Sequence, residues 1–443
     1  MPKNYLPDDL ADFVHQKLGL TKIKTKPSIN VLRDLFNTLY FTSLKTEEGQ
    51  FIKVTATLVD HDTIKNFDDE VDQLDRWSFY PFSEPLEFNV KNMVKLSKAA
   101  DPWSSSLAVY FDDDENLFIY GMIDQSIHYQ SFLNYEREDK PEHPGIIQTI
   151  INGIGILNVM LDYEALATLN QQTLIKLYPN VFKIGPVSSF LKEHSAISKS
   201  RLEDLLEGEL DEEDTEAYNE VVYDYTVQAI CRILLKMKNY HHGGAVLITR
   251  NREDDLTPKY KMKYNRISLS IEHLITSITD EEYYEEKIEN LKKRKKDVPI
   301  DDFDDYDDNK LEIEEAYNEM VGAVRFAASL SCVDGLVLMS PRLNVYGFGT
   351  VIAETVSPEY VYLSTASRPG NSVIKTPANH FGTRHQSMFA YCKKYPESVG
   401  FVVSQDGEVR AIKSINGKVY VWENIRVYQF QRSSKLPKNI PSR

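Results

Sequence analysis

The stretch His241-His242-Gly243-Gly244-Ala245-Val246-Leu247-Ile248-Thr249-Arg250 decides the fold class of the second half of this 443-residue chain. Ala245 to Ile248 are apolar without alternation, as expected of a strand buried on both faces. Before it, from about Ala217 to Lys238, Tyr223, Val227, Ile230, Leu234 and Met237 recur at spacings of four and three. That spacing predicts a helix with one apolar face. A helix, a glycine break and a buried strand open an α/β layer.

Farther along the chain the pattern returns. Leu311–Leu330 carries Ile313, Tyr317, Met320, Val324 and Ala328 on one helical face and leads into Cys332-Val333-Asp334-Gly335-Leu336-Val337-Leu338-Met339. Asp334-Gly335 puts a carboxylate at a helix–strand junction, beside a residue without a side chain. A ligand can approach such a backbone closely, and the carboxylate can hold a divalent metal. The same dipeptide is also an ordinary turn former. Next, Phe381-Gly382-Thr383-Arg384-His385-Gln386 precedes a helix in SMFAYCKKY. A hydroxyl, a guanidinium, an imidazole and free N–H groups at the positive end of a helix suit a phosphate chain. The plain alternative is a capped helix with exposed polar residues. Two strands follow, VGFVVSQDGEVRAI with Asp406-Gly407 as its hairpin turn, and KVYVWENI. The expected centre of a mixed or mainly parallel sheet is Ala245–Thr249, Leu336–Met339 and Gly400–Val403, with helices on both faces.

The first half reads as α+β. Pro7 opens a helix with Leu10, Phe13, Val14 and Leu18 on one stripe, and Ser28 caps a second with Ile29, Leu32, Leu35, Phe36 and Leu39. Phe51–Val59 alternates as a strand, SLAVYFDDDENLFIYGMI is two strands about a polar turn, and Asn152-Gly153 centres a hairpin. No nucleophile–base pair, phosphate loop or metal cluster appears in this half. His15, His61, His128 and His143 are scattered singly, so this half reads as a module for contacts.

Charge and cysteine content narrow the function classes. With 51 Lys+Arg against 67 Asp+Glu the formal charge is −16, which argues against a general nucleic-acid binder and against attachment to anionic membranes. Residues 325–443 hold 15 Lys+Arg and 7 Asp+Glu, a net of +8, leaving −24 on the rest. Positions 201–220 hold ten acidic residues, and Asp301–Asp308 reads DDFDDYDD. The latter lacks the central Gly of an EF-hand loop and has Phe303 and Tyr306 where ligand oxygens belong. We therefore expect a domain boundary near 196–214 and a self-neutralising surface insertion at 280–309 that includes the basic run Lys292–Lys296. Cys231, Cys332 and Cys392 fit neither a disulfide framework nor zinc spacing. The start lacks a leader pattern, and the most apolar stretch, Ile146–Leu161, is polar-interrupted and shorter than the ~20 residues of a membrane span. A cytoplasmic protein without a membrane partner is expected.

The order of the elements resembles the diadenylate cyclase domain at the front of the DNA-integrity scanning protein. The shared order is helix, GGAVLI strand, helix, DG strand, GTRH loop–helix and VVSQ strand, over roughly Ala217–Arg426. YFTSLKTEEGQ (Tyr40–Gln50) and the ending VVSQDGEVRAI…WEN resemble the DACNV-type sensor branch of that superfamily, which extends the resemblance to nearly the whole chain. The implied organisation is an N-terminal α+β sensor or interaction domain (1–200), a cyclase-like nucleotide-binding α/β domain (215–430) and a tail (431–443). In that family Asp-Gly-Ala and Arg-His-Arg motifs bind ATP, and two protomers meet face to face to make cyclic di-AMP. Residue by residue, the resemblance implies Asp334 as catalytic and metal-binding carboxylate for Mg²⁺ or Mn²⁺. It implies Gly335, Leu336, Thr383, Arg384, His385, Gln386 and Ser404 as nucleotide-binding. Leu336 stands where the family has Ala, and Gln386 replaces the second Arg.

Losing one guanidinium should hurt nucleotidyl transfer more than binding, because the transition state carries the developing charge. The leading reading is a nucleotide sensor that binds ATP, cyclic di-AMP or a related adenine nucleotide and signals to a separate effector protein. The alternatives are an active diadenylate cyclase working across a homo-oligomer, and an interaction protein with a vestigial pocket.

Overall fold

The computed structural model describes residues 4–21, 26–59, 78–100, 105–124, 147–161, 164–176, 178–240, 242–250, 255–294, 298–353, 356–370, 373–404 and 407–427. The tail 431–443, Asp406, His61, His128, His143, His241, Lys295 and Lys296 lie outside the described residues. The chain forms two compact units, 1–178 and 179–443, so the division falls ahead of the 196–214 boundary expected from the acidic run. Both units mix helix and sheet.

In the first unit, α1 (Pro7–Gly19) and α2 (Ile29–Ser43) bury Leu10, Val14 and Leu18 against Leu32, Leu35, Phe36 and Leu39. The Ser28 Oγ accepts a hydrogen bond from the Val31 N–H at 3.2 Å, satisfying a donor that a helix start leaves open. A two-stranded ribbon, β1 (Thr46–Glu47) and β2 (Gln50–Phe51), precedes an eight-stranded sheet. The sheet is built from β3 (Val54–Leu58), β4 (Ser78–Glu87), β5 (Ser105–Phe111), β6 (Leu117–Asp124), β7 (Ile147–Gly153), β8 (Ile156–Leu161), β9 (Glu164–Asn170) and β10 (Thr173–Ile175), with α3 (Val90–Leu96) before β5. The strand order is β10-β9-β8-β7-β3-β5-β6-β4.

β3 is interior, so all five of its residues are buried although its sequence alternates. Val54, Ala56 and Leu58 join the core, while Thr57 shares a 2.9 Å hydrogen bond with Ser106. The β7–β8 turn corrects the sequence reading. Gly153 pairs with Ile156, so Ile154-Gly155 turns the chain and Asn152-Gly153 stays in the strand. Gly155 has φ +67° and its N–H donates to Ser43 Oγ at 2.9 Å, which anchors the turn to the end of α2.

In the second unit, α4 (Pro186–Ser195) and α5 (Lys199–Leu206) precede α6 (Glu212–Asn239). α6 starts earlier than its apolar stripe predicts because Asp211 caps it, its Oδ1 accepting from the Asp214 N–H at 2.7 Å. Glu212, Glu213 and Asp214 then occupy the positive end of the helix. The charged segment 280–309 is largely helical: α7 (Arg266–Lys293) and α8 (Ile300–Ser329) pack as a helical hairpin, and DDFDDYDD lies in the first turns of α8, with Asp301 and Asp302 at its positive end. Charge is neutralised locally there, with Lys287 Nζ 2.7 Å from Asp302 Oδ1.

The second sheet has nine strands: β11 (Gly244–Thr249), β12 (Leu256–Tyr264), β13 (Leu336–Met339), β14 (Val345–Ile352), β15 (Tyr360–Ser364), β16 (Val373–Pro377), β17 (Ser398–Val403), β18 (Val409–Ile415) and β19 (Lys418–Trp422). Their order is β12-β14-β13-β11-β17-β18-β19-β15-β16, with α9 (Thr383–Lys394) between β16 and β17 in the chain. Only β11–β13 and β15–β19 are parallel pairs, so the sheet is mixed. The three apolar runs are adjacent as β13, β11 and β17, and every residue in them is buried. On one face Ile230, Ile233 and Leu234 of α6 meet Val246, Ile248, Met339 and Phe401. On the other, Ala245, Leu247, Leu338, Val402 and Ile412 form a core with Met388, Phe389 and Cys392 of α9.

Candidate functional site

Strand register brings the two expected motifs to one edge of the second sheet. Gly244 pairs with Val403, Val246 with Val337, Val403 with Val409, and Ala411 with Trp422. The beginnings of β11, β13 and β18 and the ends of β17 and β19 therefore share that edge. β13 and β17 are separated there by β11 alone, a lateral distance of about 10 Å between strand axes.

α9 delivers its N-terminus to the same edge. Its far end is tied to the opposite edge, where the Tyr391 and Thr249 hydroxyls lie 3.4 Å apart and Tyr395 donates to Asp255 at 2.6 Å. Lys394 is 2.7 Å from the same carboxylate and, with Tyr395, holds it below the usual carboxylate range. Midway, Gly400 makes room for Met388, since a Cβ there would lie 2.3 Å from the methionine sulfur.

At the N-terminus of α9 the chemistry departs from a plain capped helix. Gly382 occupies the cap without a side chain, and the first turn holds no acidic residue. Thr383 is exposed and Arg384 half-buried, and neither side chain has a hydrogen bond or ion pair among the described residues. Gln386 is partly buried, and its Nε2 donates to the Phe381 carbonyl at 2.6 Å.

His385 is buried, with Nε2 3.3 Å from Nη1 of Arg410 on β18. A guanidinium only donates, so Nε2 accepts and the ring proton sits on Nδ1. Burial first, then the Arg410 and Arg384 charges, push the imidazole pKa down to about 4. His385 is thus neutral at neutral pH and adds no positive charge to the edge. Arg410 also donates from Nε to Glu423 at 3.0 Å and from Nη2 to Glu408, and it lies over the Phe381 ring. Arg410, Glu408 and Glu423 are the residues that sequence reasoning missed. Strand alternation is the signal that locates Arg410, because it shares the face of Ile412, which packs on α9.

The remaining expected residues have clear local roles. Ser404 closes the β17–β18 turn: its N–H donates to the Glu408 carbonyl at 2.9 Å and its Oγ accepts from the Glu408 N–H at 3.1 Å. Gly335, at φ +118°, is approached by β14 rather than needing a ligand to explain it, since a Cβ would sit 2.5 Å from the Gly349 carbonyl carbon. Leu336 is a core residue on the α9 side of the sheet. Asp334 is exposed, and its carboxylate has no hydrogen-bond or ion-pair partner among the described residues. Among those residues no three His, Cys, Asp or Glu side chains are grouped to hold a metal ion, and no helix is long and apolar enough to cross a membrane.

A family model described as the probable sensor domain DACNV matches residues 21–124, the span from before α2 to the end of β6. The match lies in the first unit, so the sensor-like part of the chain is N-terminal. No curated protein matches the chain.

Proposed function

We propose that the protein is a two-part signalling device, with a sensing N-terminal unit and a C-terminal unit that binds a phosphate-bearing adenine nucleotide. The observation that supports this best is the Arg384 guanidinium, without a hydrogen bond or ion pair among the described residues, on a helix start that has no side-chain cap and no acidic neighbour in its first turn. Placing a cation at the positive end of a helix is unfavourable unless an anion arrives there, and phosphate oxygens supply that anion. The family match at 21–124 supports sensing by the first unit. Asp334 belongs to no group of three metal-ligating side chains among the described residues, so it suits Mg²⁺ or Mn²⁺ only when phosphate oxygens and water complete the shell, as nucleotide-borne Mg²⁺ requires. Thr383 and the α9 N–H groups would orient the phosphates, and Asp334 would face the metal across the sheet edge.

The experiment is calorimetric titration of the full chain with ATP–Mg²⁺, cyclic di-AMP and adenosine. Binding of the phosphorylated ligands, weakened by Arg384→Ala by ~1.5–3 kcal/mol, is the expected result. Equal affinity for adenosine, or no binding of any ligand, would overturn the reading. Chromatography after incubation with ATP and Mn²⁺ separates a binder from a cyclase that condenses two ATP across a homo-oligomer.

A further inference from the structure

We propose that Arg410 is the second phosphate-binding guanidinium of this edge, held in reserve by Glu408 and Glu423 until an anionic ligand displaces a carboxylate. The inference deepens the nucleotide reading above and rests on it. It starts from a vacancy: Gln386 stands where a second cation would be expected, and its amide is committed to the Phe381 carbonyl. Arg410 reaches the same first turn of α9 from another element. Its Nη1 lies 3.3 Å from His385 Nε2, and its guanidinium carbon sits 5.9 Å from the centre of the Phe381 ring.

The surroundings of Arg410 are built to hold the guanidinium still and to let its counter-ions go. The Arg410 side chain is 15% exposed, while those of Glu408 and Glu423 are 20% and 36% exposed. The neutral His385 accepts from Nη1, and the ring of Phe381 supports the guanidinium plane, so the cation keeps its place when a carboxylate turns to water. The guanidinium fork has N–H groups left over after these three partners, and a phosphate takes such a fork in the same bidentate way as a carboxylate. A polyphosphate carries more charge than the carboxylate it would replace, so the exchange favours the ligand. Arg384, whose charge acts on the same His385 ring and which has no hydrogen bond or ion pair among the described residues, provides the first landing point.

This arrangement makes an unusual demand: removing an acidic side chain should tighten binding of an anion at a defined place. The test is calorimetric titration of the full chain with tripolyphosphate, ATP–Mg²⁺ and adenosine, using Arg410→Gln, Glu408→Gln and Arg384→Ala. Arg410→Gln is expected to weaken tripolyphosphate and ATP binding by roughly tenfold or more, as is Arg384→Ala. Glu408→Gln, which keeps the side-chain shape, is expected to tighten both by about threefold or more, with adenosine unaffected. If the unaltered protein binds tripolyphosphate and Arg410→Gln binds it within about twofold as well, the Arg410 assignment falls while the nucleotide reading stands. If Arg410→Gln does not melt cooperatively, Glu408→Gln decides, and unchanged or weaker binding overturns the proposal. Failure of the unaltered protein to bind ATP–Mg²⁺ or tripolyphosphate removes the nucleotide reading and this inference together.

Discussion

His385 offers a prediction whose size follows from its surroundings. Unfolding the second unit moves the imidazole from a site where its pKa is about 4 to water, where it is 6.5. Between those two values the unfolded chain binds the proton more tightly than the folded one, so stability falls as the pH is lowered through 6.5 and the loss is complete below 4. Going from pH 7.5 to pH 5 should cost about 2 kcal/mol through this residue, and the full shift amounts to about 3 kcal/mol. Exchange of the imidazole C2 hydrogen, followed by mass spectrometry of the peptide that carries His385, reports the titration residue by residue. The expected midpoint is near 4, against ~6.5 for an unperturbed ring. The linked stability is read by urea unfolding at the two pH values, in the unaltered chain and in His385→Gln, where the part due to His385 should vanish. A midpoint at or above 6 would mean that burial and the Arg410 and Arg384 charges do not hold the imidazole neutral down to pH 5, and the stability loss argued above would be absent.

Other substitutions test the packing that positions the site. Leu336→Ala removes a buried core side chain, and the second unit should lose ~2–5 kcal/mol in denaturant unfolding. Gly335→Ala places a Cβ against the Gly349 backbone at φ +118°, and a loss of at least ~1–3 kcal/mol, seen as a lowered melting temperature, is expected. Ser28→Ala should cost the first unit about 1 kcal/mol through the lost cap, measured as protease susceptibility of α2 or as a shift in its unfolding midpoint.

The elements that could be read from sequence are those whose signal is local. The three apolar runs were legible because an unbroken apolar stretch offers no face to solvent, and they are neighbours at the sheet centre. Ser28 was legible because a cap is decided within three residues. Two kinds of feature were not. Helix starts at Glu212 and Ile300 were hidden by acidic runs, because the stabilisation comes from acidic residues at the positive end of the helix dipole, joined at Glu212 by the Asp211 cap, and not from an apolar stripe. The environment of His385 was hidden because Arg410 is 25 residues away in the chain and is brought there by the β17–β18 hairpin. Motif reading could name the imidazole but not its protonation, which depends on burial and on a strand that the motif does not include.

The two departures from the cyclase motifs that the sequence resembles also change meaning once their contacts are known. In sequence, Leu336 reads as a replaced Ala and Gln386 as a cation lost. In the fold, Leu336 belongs to the core that seats α9. Gln386 donates to the carbonyl of Phe381, whose ring packs edge-on against Phe389 of the same helix. Gln386→Arg would therefore break an interaction that steadies the start of α9 in order to add a charge where Arg384, Arg410 and the helix dipole already repel one. A cation at 386 and one at 410 are alternatives in electrostatic terms, since each would crowd the same buried, uncharged imidazole. Arg410 is the better tolerated of the two because Glu408 and Glu423 neutralise it. Under the proposal above, the edge would take up a polyphosphate by exchanging one of these carboxylates, and in its absence would not carry two uncompensated guanidinium groups at a helix N-terminus.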